Sequence, residues 1–340
     1  MNGTSEDVLA GLPGNKTIPW TFLKPLVSLA TLNMYTYGEF FVVNIPALFV
    51  GFFTNTANIV VYCNMGFSES SNVNFLVLSV FDLFYTILQF LIRAFYLPVW
   101  KSLDHGPFLV YISHCFSLAS TVVICGSAMM TALIATERCV CVVFPLKVKT
   151  LLSPKRNLCL TMTIVAYHVA FVILLYADPG PPYDAHPKKM AFYYISLYVI
   201  PTTICYFIVL LSTIFLIYKL RINQQWRKKS ATQSGKTSGK EDKLVKTIVA
   251  ICTLFIICSF PNVSVFITQI IYPALNYSNP YLNNVLLIMF GVALNFQAIS
   301  SSVNFFFYYR MSSKFNKTFS TLYGFNTNKR SGGQEGKASN

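Results

Sequence analysis

Residues 191–218 read AFYYISLYVIPTTICYFIVLLSTIFLIY and contain no charged side chain. A helix needs about 20 apolar residues to cross the hydrocarbon core of a bilayer. A backbone in lipid must also satisfy its own hydrogen bonds, which a helix does. This stretch therefore predicts a membrane-spanning helix.

Six further apolar stretches of spanning length flank it. They cover residues 40–62, 73–97, 108–136, 158–177, 247–272 and 281–309. The predicted fold is an all-α membrane protein, a seven-transmembrane helix bundle with a short amphipathic helix over 311–322 after span seven. Polar residues 1–37 are expected to form an extracellular N-terminus that precedes a seven-transmembrane domain over 38–322. Residues 221–243 are expected to be a flexible cytoplasmic loop and 323–340 a disordered tail.

The distribution of basic residues predicts the orientation. Only 11% of residues are charged, against about 25% in soluble domains. Of the 26 Lys and Arg residues, 19 lie between 147 and 156, between 219 and 246, or from 310 onward. Basic residues accumulate on the cytoplasmic side of membrane proteins. We therefore expect an N-terminus outside and a tail in the cytoplasm, and the net charge of +14 does not indicate nucleic-acid binding.

Two features concern the outer surface. Asn2 and Asn15 begin Asn-X-Thr triplets and are glycosylation candidates if the N-terminus is outside. Cys115 is the cysteine nearest the outer surface, and residues 177–192 offer it no cysteine partner. We therefore expect no disulfide on this side.

Polar side chains inside spans are the informative ones, because each is costly unless it faces the bundle interior. Asp82, Gln89 and Arg93 are spaced by seven and four residues, which places them within about 20° of one line on a helix. Asp82 is either functional or a packed polar group held by hydrogen bonds. Arg93 either faces the interior or extends to the outer headgroups.

Span seven carries a second polar stripe, made of Gln297, Ser300, Ser301, Asn304 and Tyr308. Oxygen ligands suit a small hard cation. The set Asp82, Ser127, Ser300 and Asn304 therefore predicts either a sodium site or a water-filled hydrogen-bond network. The residues leave both alternatives open, and they indicate no other metal and no organic cofactor.

The order of motifs resembles a rhodopsin-like (class A) G protein-coupled receptor over about residues 40–320. The matching positions are Asn55, Leu78 to Leu83 with Asp82, Ser127, Glu137-Arg138-Cys139, Pro145-Leu146, Pro201, Phe255 with Cys258 and Pro261, and Asn304 to Tyr308 followed by Phe315. Val143 to Lys149 and Asn304 to Phe315 further resemble chemosensory-type receptors of molluscs.

This resemblance implies a ligand-activated receptor of the plasma membrane that couples to a heterotrimeric G protein. It implies that Arg138 engages the G protein and that Glu137 and Glu241 restrain it in the inactive state. Ordinary surface salt bridging is the alternative for these charges. The activation core it implies consists of Asn55, Asp82, Phe255, Pro261, Asn304 and Tyr308, and the ligand pocket of Gln89, Arg93, Ser120, Tyr194 and Tyr198.

The ligand class is narrowed by absent residues. Residues 281–309 lack the lysine of an opsin, and 108–136 lack the acid of an amine receptor. A peptide, a small organic acid or another odorant-like molecule remains. No acid occurs in the outer halves of spans three, five, six or seven, so an unpaired Arg93 would favour an anionic ligand.

Departures from the family pattern keep two other functions open. Ser259 stands where the family has tryptophan, Phe305 where it has proline and Val209 where it has tyrosine. A non-signalling pseudoreceptor is therefore one alternative, and an ion channel or transporter is the other, since Asp82 and Arg93 lie within spans. The sequence shows no cluster typical of an enzyme.

Overall fold

The protein is an all-helical bundle over the residues that its computed structural model describes, namely 23–95, 97, 106–144, 154–176, 192, 194–229 and 238–324. The helices are α1 (Leu29–Met65), α2 (Ser70–Phe95), α3 (Gly106–Val143), α4 (Pro154–Tyr176), α5 (Ile200–Lys229), α6 (Ser238–Ile271), α7 (Asn283–Met311) and α8 (Ser313–Leu322). A π-helical turn, Ile195–Val199, precedes α5.

Within the described residues, six helices are long and apolar enough to cross a membrane: α1, α2, α3, α5, α6 and α7. The seventh long helix, α4, has 23 residues and packs against α2 and α3. The predicted fold class, a seven-helix bundle followed by a short helix, is confirmed.

Helix α3 lies at the centre of the bundle, where it contacts α2, α4, α5 and α6. The other helices close around it, because α1 packs on both α2 and α7 and α6 packs on both α5 and α7. We call the two ends of the bundle outer and cytoplasmic after the orientation that the basic residues predict. The described part of the outer half has a core around Leu48, Tyr85 and Phe266. A larger core around Tyr62, Met130 and Tyr308 fills the cytoplasmic half. Both cores lie on the inward faces that carry the candidate site residues.

One π-helical turn lies in the outer half of α1, and a second directly precedes α5. Each turn is followed by a proline. The turn Phe40–Asn44 comes before Pro46, and the turn Ile195–Val199 comes before Pro201. Proline has no N–H, and its ring clashes with the carbonyl four residues earlier. A wider turn relieves that clash, and π turns inside helices are frequent at functional sites.

Helices extend past two of the boundaries that the sequence predicted. Helix α1 begins at Leu29, inside the stretch 1–37 assigned to the N-terminal segment, and the Ser28 side chain caps it by accepting from Thr31 N. The loop predicted over 221–243 is helical up to Lys229 and again from Ser238, with 230–237 outside the described residues. Lys, Arg and Gln are good helix formers, so a polar composition did not mark the helix ends there.

The predicted amphipathic helix is present as α8. Ser312 caps its first turn by accepting from Phe315 N. Phe315 is fully buried against the cytoplasmic core, whereas the basic Lys314 is exposed. One face of α8 therefore attaches to the bundle and the other carries charge.

The structure describes all nine cysteines, and no two of them form a disulfide. Cys115 lies in α3 and is half-buried. The bundle is therefore held by packing and hydrogen bonds between its helices.

The contact between α2 and α3 depends on Gly126. A Cβ atom at this position would overlap the Phe81 ring, with two ring atoms 2.7 and 2.8 Å away. We expect Gly126→Ala to lower the free energy of unfolding by about 1–3 kcal/mol, the usual cost of overpacking a core. The thermal unfolding midpoint of purified protein would measure this.

Gly38 in α1 is the matched control, because a Cβ there would meet nothing within 4 Å. Gly38→Ala is expected to change stability by about 1 kcal/mol or less. Phe81→Leu should recover part of the loss in the Gly126→Ala background. Equal midpoints for the two alanine variants would contradict the close approach of α2 and α3.

Candidate functional site

The outer half brings together the pocket residues predicted on α2, α3 and α5. Gln89 Nε2 donates to Ser120 Oγ at 2.8 Å, which joins α2 to α3. The rings of Tyr194 and Tyr198 lie 5.3 Å apart, and the Tyr198 hydroxyl accepts from Asn262 Nδ2 at 3.1 Å. Tyr198 belongs to the same buried cluster as Tyr85 of α2. These contacts connect four helices around the outer end of the bundle.

Arg93 is not the unpaired cation that the sequence predicted. Its Nη1 donates to Glu39 Oε1 of α1, and the two side chains are 11% and 4% exposed. The prediction failed because Glu39 precedes the apolar stretch 40–62, so it was placed outside the span. With α1 starting at Leu29, Glu39 lies within the helix, and the local charge is balanced. Arg93, once paired with Glu39, does not favour an anionic ligand.

Glu39 is held by further polar groups of α1 and α7. Asn295 Nδ2 donates to Glu39 Oε2 at 3.1 Å, and Asn44 Nδ2 joins the Glu39 carbonyl to Asn295 Oδ1 at 3.0 and 2.8 Å. The Tyr35 hydroxyl lies beside this carboxylate, because a Cβ atom placed at Gly291 would approach both groups within 2.9 Å. A buried ion pair is favourable only when such additional hydrogen bonds satisfy it. This cluster thus ties α1, α2 and α7 together at their outer ends.

The middle of the bundle contains the predicted polar core. Asp82 is buried, and its two carboxylate oxygens accept from Ser127 Oγ and from Asn304 Nδ2, each at 2.9 Å. Asn55 Nδ2 donates to Ser301 O at 3.0 Å and thereby links α1 to α7. Ser300 is not among the residues that donate to the Asp82 carboxylate in the described part of the chain. Three of the four predicted sodium-site residues are in contact, and sodium binding itself stays a prediction.

A small cavity lies between α3, α5, α6 and α7, beside this polar core. Its lining includes Ile124, Thr202, Phe255, Ser259, Asn262 and Gln297. Ser259 is the position at which the resembled family carries tryptophan. The short serine leaves space that a large ring would fill, so this departure has a local structural effect.

The cytoplasmic end holds Glu137 in a buried network. Glu137 is 3% exposed and accepts from Ser70 Oγ and Asn74 Nδ2, both at 2.7 Å. Asn74 Oδ1 in turn accepts from Asn157 Nδ2 at 2.8 Å and from Thr161 Oγ1 at 3.1 Å. One chain of hydrogen bonds thus joins α2, α3 and α4.

Arg138 is held on the side of α2. Its Nη2 lies 3.2 Å from Glu137 Oε1 and also donates to Ser71 Oγ. The predicted partner Glu241 lies in the helical backbone of α6, but its side chain is outside the described residues. The restraint that the structure does give to Arg138 comes from α2 and α3.

A group of aromatic side chains packs together next to this network. The Tyr308 ring packs 5.4 Å from Tyr62, 4.9 Å from Phe75 and 5.7 Å from Phe315. Of the predicted activation-core residues, Tyr308 and Phe255 both belong to this cytoplasmic core. Pro261 lies inside α6 without ending the helix.

Sequence reasoning missed several residues of these networks, above all Glu39, Ser71, Asn74, Asn157 and Asn295. A signal existed for Asn74 and Asn157, since each is an amide near the predicted cytoplasmic end of a span. The partner of a buried amide depends on the rotation of neighbouring helices, which one sequence does not give. Ser71 and Asn295 carried no distinguishing pattern.

One family comparison gives a positive result. The family model "Serpentine type 7TM GPCR chemoreceptor Srw" matches residues 182–326, which is less than half of the chain. The matched region contains helices α5, α6, α7 and α8 in full. No curated protein matches the chain at a significant level. The family match supports chemosensory signalling through a G protein.

Proposed function

We propose that this chain is a chemosensory receptor of the plasma membrane, with its N-terminus outside, that activates a heterotrimeric G protein on binding an extracellular ligand. The observation that carries the proposal is the family match over 182–326, which includes the elements that bear Pro201, Pro261, Asn304 and Tyr308. The structure adds support, because separate buried polar clusters occur at the outer end, in the middle and at the cytoplasmic end of the bundle.

The cytoplasmic end gives the proposal a mechanism. Arg138 and Glu137 are bound to each other and to serines of α2. In the proposed active state Arg138 leaves Ser71 and Glu137 and turns toward the G protein. Glu241 of α6 is proposed as a second restraint on Arg138. A ligand shifts this equilibrium only through a difference in its affinity for the two states.

The outer half offers a path for that difference. Tyr198 of α5 contacts Phe266 and Asn262 of α6, with ring centroids 5.6 Å apart and a hydrogen bond of 3.1 Å. A ligand that contacts Tyr194 or Tyr198 would therefore act on α6 directly. We propose Gln89, Ser120, Tyr194 and Tyr198 as ligand-contacting residues, with Arg93 at the edge beside Glu39.

The test is nucleotide exchange on a purified heterotrimeric G protein by the full-length chain in lipid nanodiscs. The probes are water-soluble amides, carboxylic acids, alcohols and short peptides. Receptor function predicts exchange that rises with the concentration of at least one probe and disappears in Arg138→Ala. A probe-dependent current in planar bilayers without exchange would indicate the channel alternative. Probe binding with no exchange on any G protein subtype would indicate a pseudoreceptor.

The orientation is tested separately with epitope tags. We expect a tag after residue 2 to be stained in intact cells and a tag at residue 340 only after permeabilisation. The physical reason is the excess of basic residues in the predicted cytoplasmic segments. Staining of the C-terminal tag alone in intact cells would contradict this orientation.

A further inference from the structure

The polar residues at the outer ends of α1, α2 and α7, which include Glu39, Arg93 and Gln89, have hydrogen-bond donors and acceptors that their contacts with each other leave unpaired. Arg93 gives Nη1 to Glu39, whereas its buried Nε and Nη2 have no hydrogen-bond partner among the described residues. Gln89, one helical turn deeper on α2, gives Nε2 to Ser120, and its buried Oε1 likewise has no partner within the described part of the chain. Gln89 is only 3% exposed.

Unused buried hydrogen-bonding groups need a partner. A buried donor or acceptor left without one costs about 1–3 kcal/mol, and more for a charged group. The Nε and Nη2 atoms form one edge of the planar guanidinium, with two parallel N–H groups that suit an acceptor. Gln89 Oε1 is an acceptor and therefore calls for a donor. A ligand group that satisfies the unpaired atoms of both residues must therefore offer one acceptor to Arg93 and one donor to Gln89.

The charge of the site restricts that group further. Glu39 already neutralises Arg93 and is itself bound by Asn295. A carboxylate would bring a second negative charge into a neutral, buried site and would lose its hydration. It would also offer no donor to Gln89. A neutral amide offers a carbonyl acceptor and an N–H donor without this cost.

The packing around Glu39 keeps the ion pair in place. Gly291 of α7 faces this carboxylate, because a Cβ there would lie 2.8 Å from Glu39 Oε2 and 2.9 Å from the Tyr35 hydroxyl. Glu39 directly precedes the π turn Phe40–Asn44, whose last residue, Asn44, donates to Asn295. Glu39 is therefore fixed by α7, and the remaining edge of Arg93 is the part left for a ligand.

We infer that Arg93 and Gln89 form a subsite for a neutral carboxamide or peptide-bond group of the ligand, with Glu39 acting to exclude carboxylates. This inference rests on the proposed receptor function only for its biological meaning. It names the ligand class at the α1–α2 side of the pocket and replaces the anionic ligand expected from the sequence.

The experiment uses two matched probe pairs, butanamide with butanoate and benzamide with benzoate. Binding to the purified full-length chain in nanodiscs is measured by the unfolding midpoint and by titration calorimetry, without a G protein. Wild type should bind the amide of each pair about tenfold more tightly than the acid. Equal or tighter binding of the acid, or no binding of either amide, would overturn the inference.

Two variants test the roles of the residues. Arg93→Lys keeps one cation for Glu39 and loses the Nε–Nη2 edge, so amide affinity should fall by about tenfold while the unfolding midpoint without probe stays close to wild type. Glu39→Gln leaves Arg93 without its counter-charge, so the preference should reverse toward the acids. Unchanged amide affinity in Arg93→Lys would overturn the inference even if Glu39→Gln does not fold.

The outcome is separable from that of the proposed function. Amide binding that depends on Arg93, with no nucleotide exchange on any G protein, would leave the subsite standing and contradict the receptor. Exchange driven by other probes, with no amide binding, would leave the receptor standing and contradict the subsite.

Discussion

Arg138→Ala is expected to abolish G protein activation while leaving ligand binding at the outer pocket unchanged. Arg138 lies at the cytoplasmic end of α3, and its Nη2 bonds to Glu137 and Ser71 in the structure. A guanidinium that exchanges these bonds for carbonyls of a G protein supplies a buried, charge-assisted contact. Truncating one partner of such a contact costs about 2–5 kcal/mol, or roughly 30-fold or more in affinity.

Nucleotide exchange at saturating probe measures the effect, and surface expression must be equal. Arg310→Ala is the matched control, since Arg310 is an exposed arginine in the last turn of α7. We expect it to keep most of the exchange activity. Ser71→Ala should raise exchange without probe, because it removes the contact of Arg138 with α2. Probe-driven exchange at the wild-type level in Arg138→Ala would rule out the proposed mechanism.

Asn74→Leu is expected to be the most destabilising of the substitutions considered. Asn74 is fully buried and makes three hydrogen bonds, one to Glu137 and two that it accepts from Asn157 and Thr161. Leucine has similar bulk but leaves a buried carboxylate and two buried donors without this partner. At about 1–3 kcal/mol for each unsatisfied group, a loss of about 3 kcal/mol or more in the free energy of unfolding follows.

The comparison is Asn64→Leu, an exposed asparagine on α1 that bonds only to Val60 O of its own helix. This control should shift the unfolding midpoint little. Surface expression and the midpoint of purified protein give the two readouts. If Asn74→Leu and Asn64→Leu have the same midpoint, the hydrogen-bond chain across α2, α3 and α4 does not contribute to stability.

The sequence predicted the fold because the cost of exposing a backbone to lipid leaves few alternatives for long apolar stretches. It also predicted the contact of Asp82 with Ser127 and Asn304. A carboxylate within a span must find donors inside the bundle, and the polar residues of spans three and seven supply them. Such reasoning works where the energetic penalty of leaving a group unpaired is large.

The same reasoning failed at Glu39 and did not find the partners of Asn74. Glu39 was excluded because the span was assumed to begin where the apolar residues begin, yet a polar residue paired with Arg93 extends the helix. The partners of Asn74 lie 63 to 87 positions away along the chain. Such pairs depend on how helices are rotated against each other, and hydrophobicity alone does not determine that rotation.

The π turns of α1 and α5 have a consequence for how receptors of this architecture diverge. A π turn accommodates one additional residue, so deleting one residue within 195–199 would restore a regular helix. The helix on either side would keep nearly its present rotation, because five residues of a π turn cover about the same angle as four residues of an α-helix. The side chains within the turn, Tyr198 among them, would change direction, whereas Val209 and the rest of the cytoplasmic half would keep their neighbours. A single-codon deletion thus gives evolution a route to a new ligand preference without disturbing the signalling end.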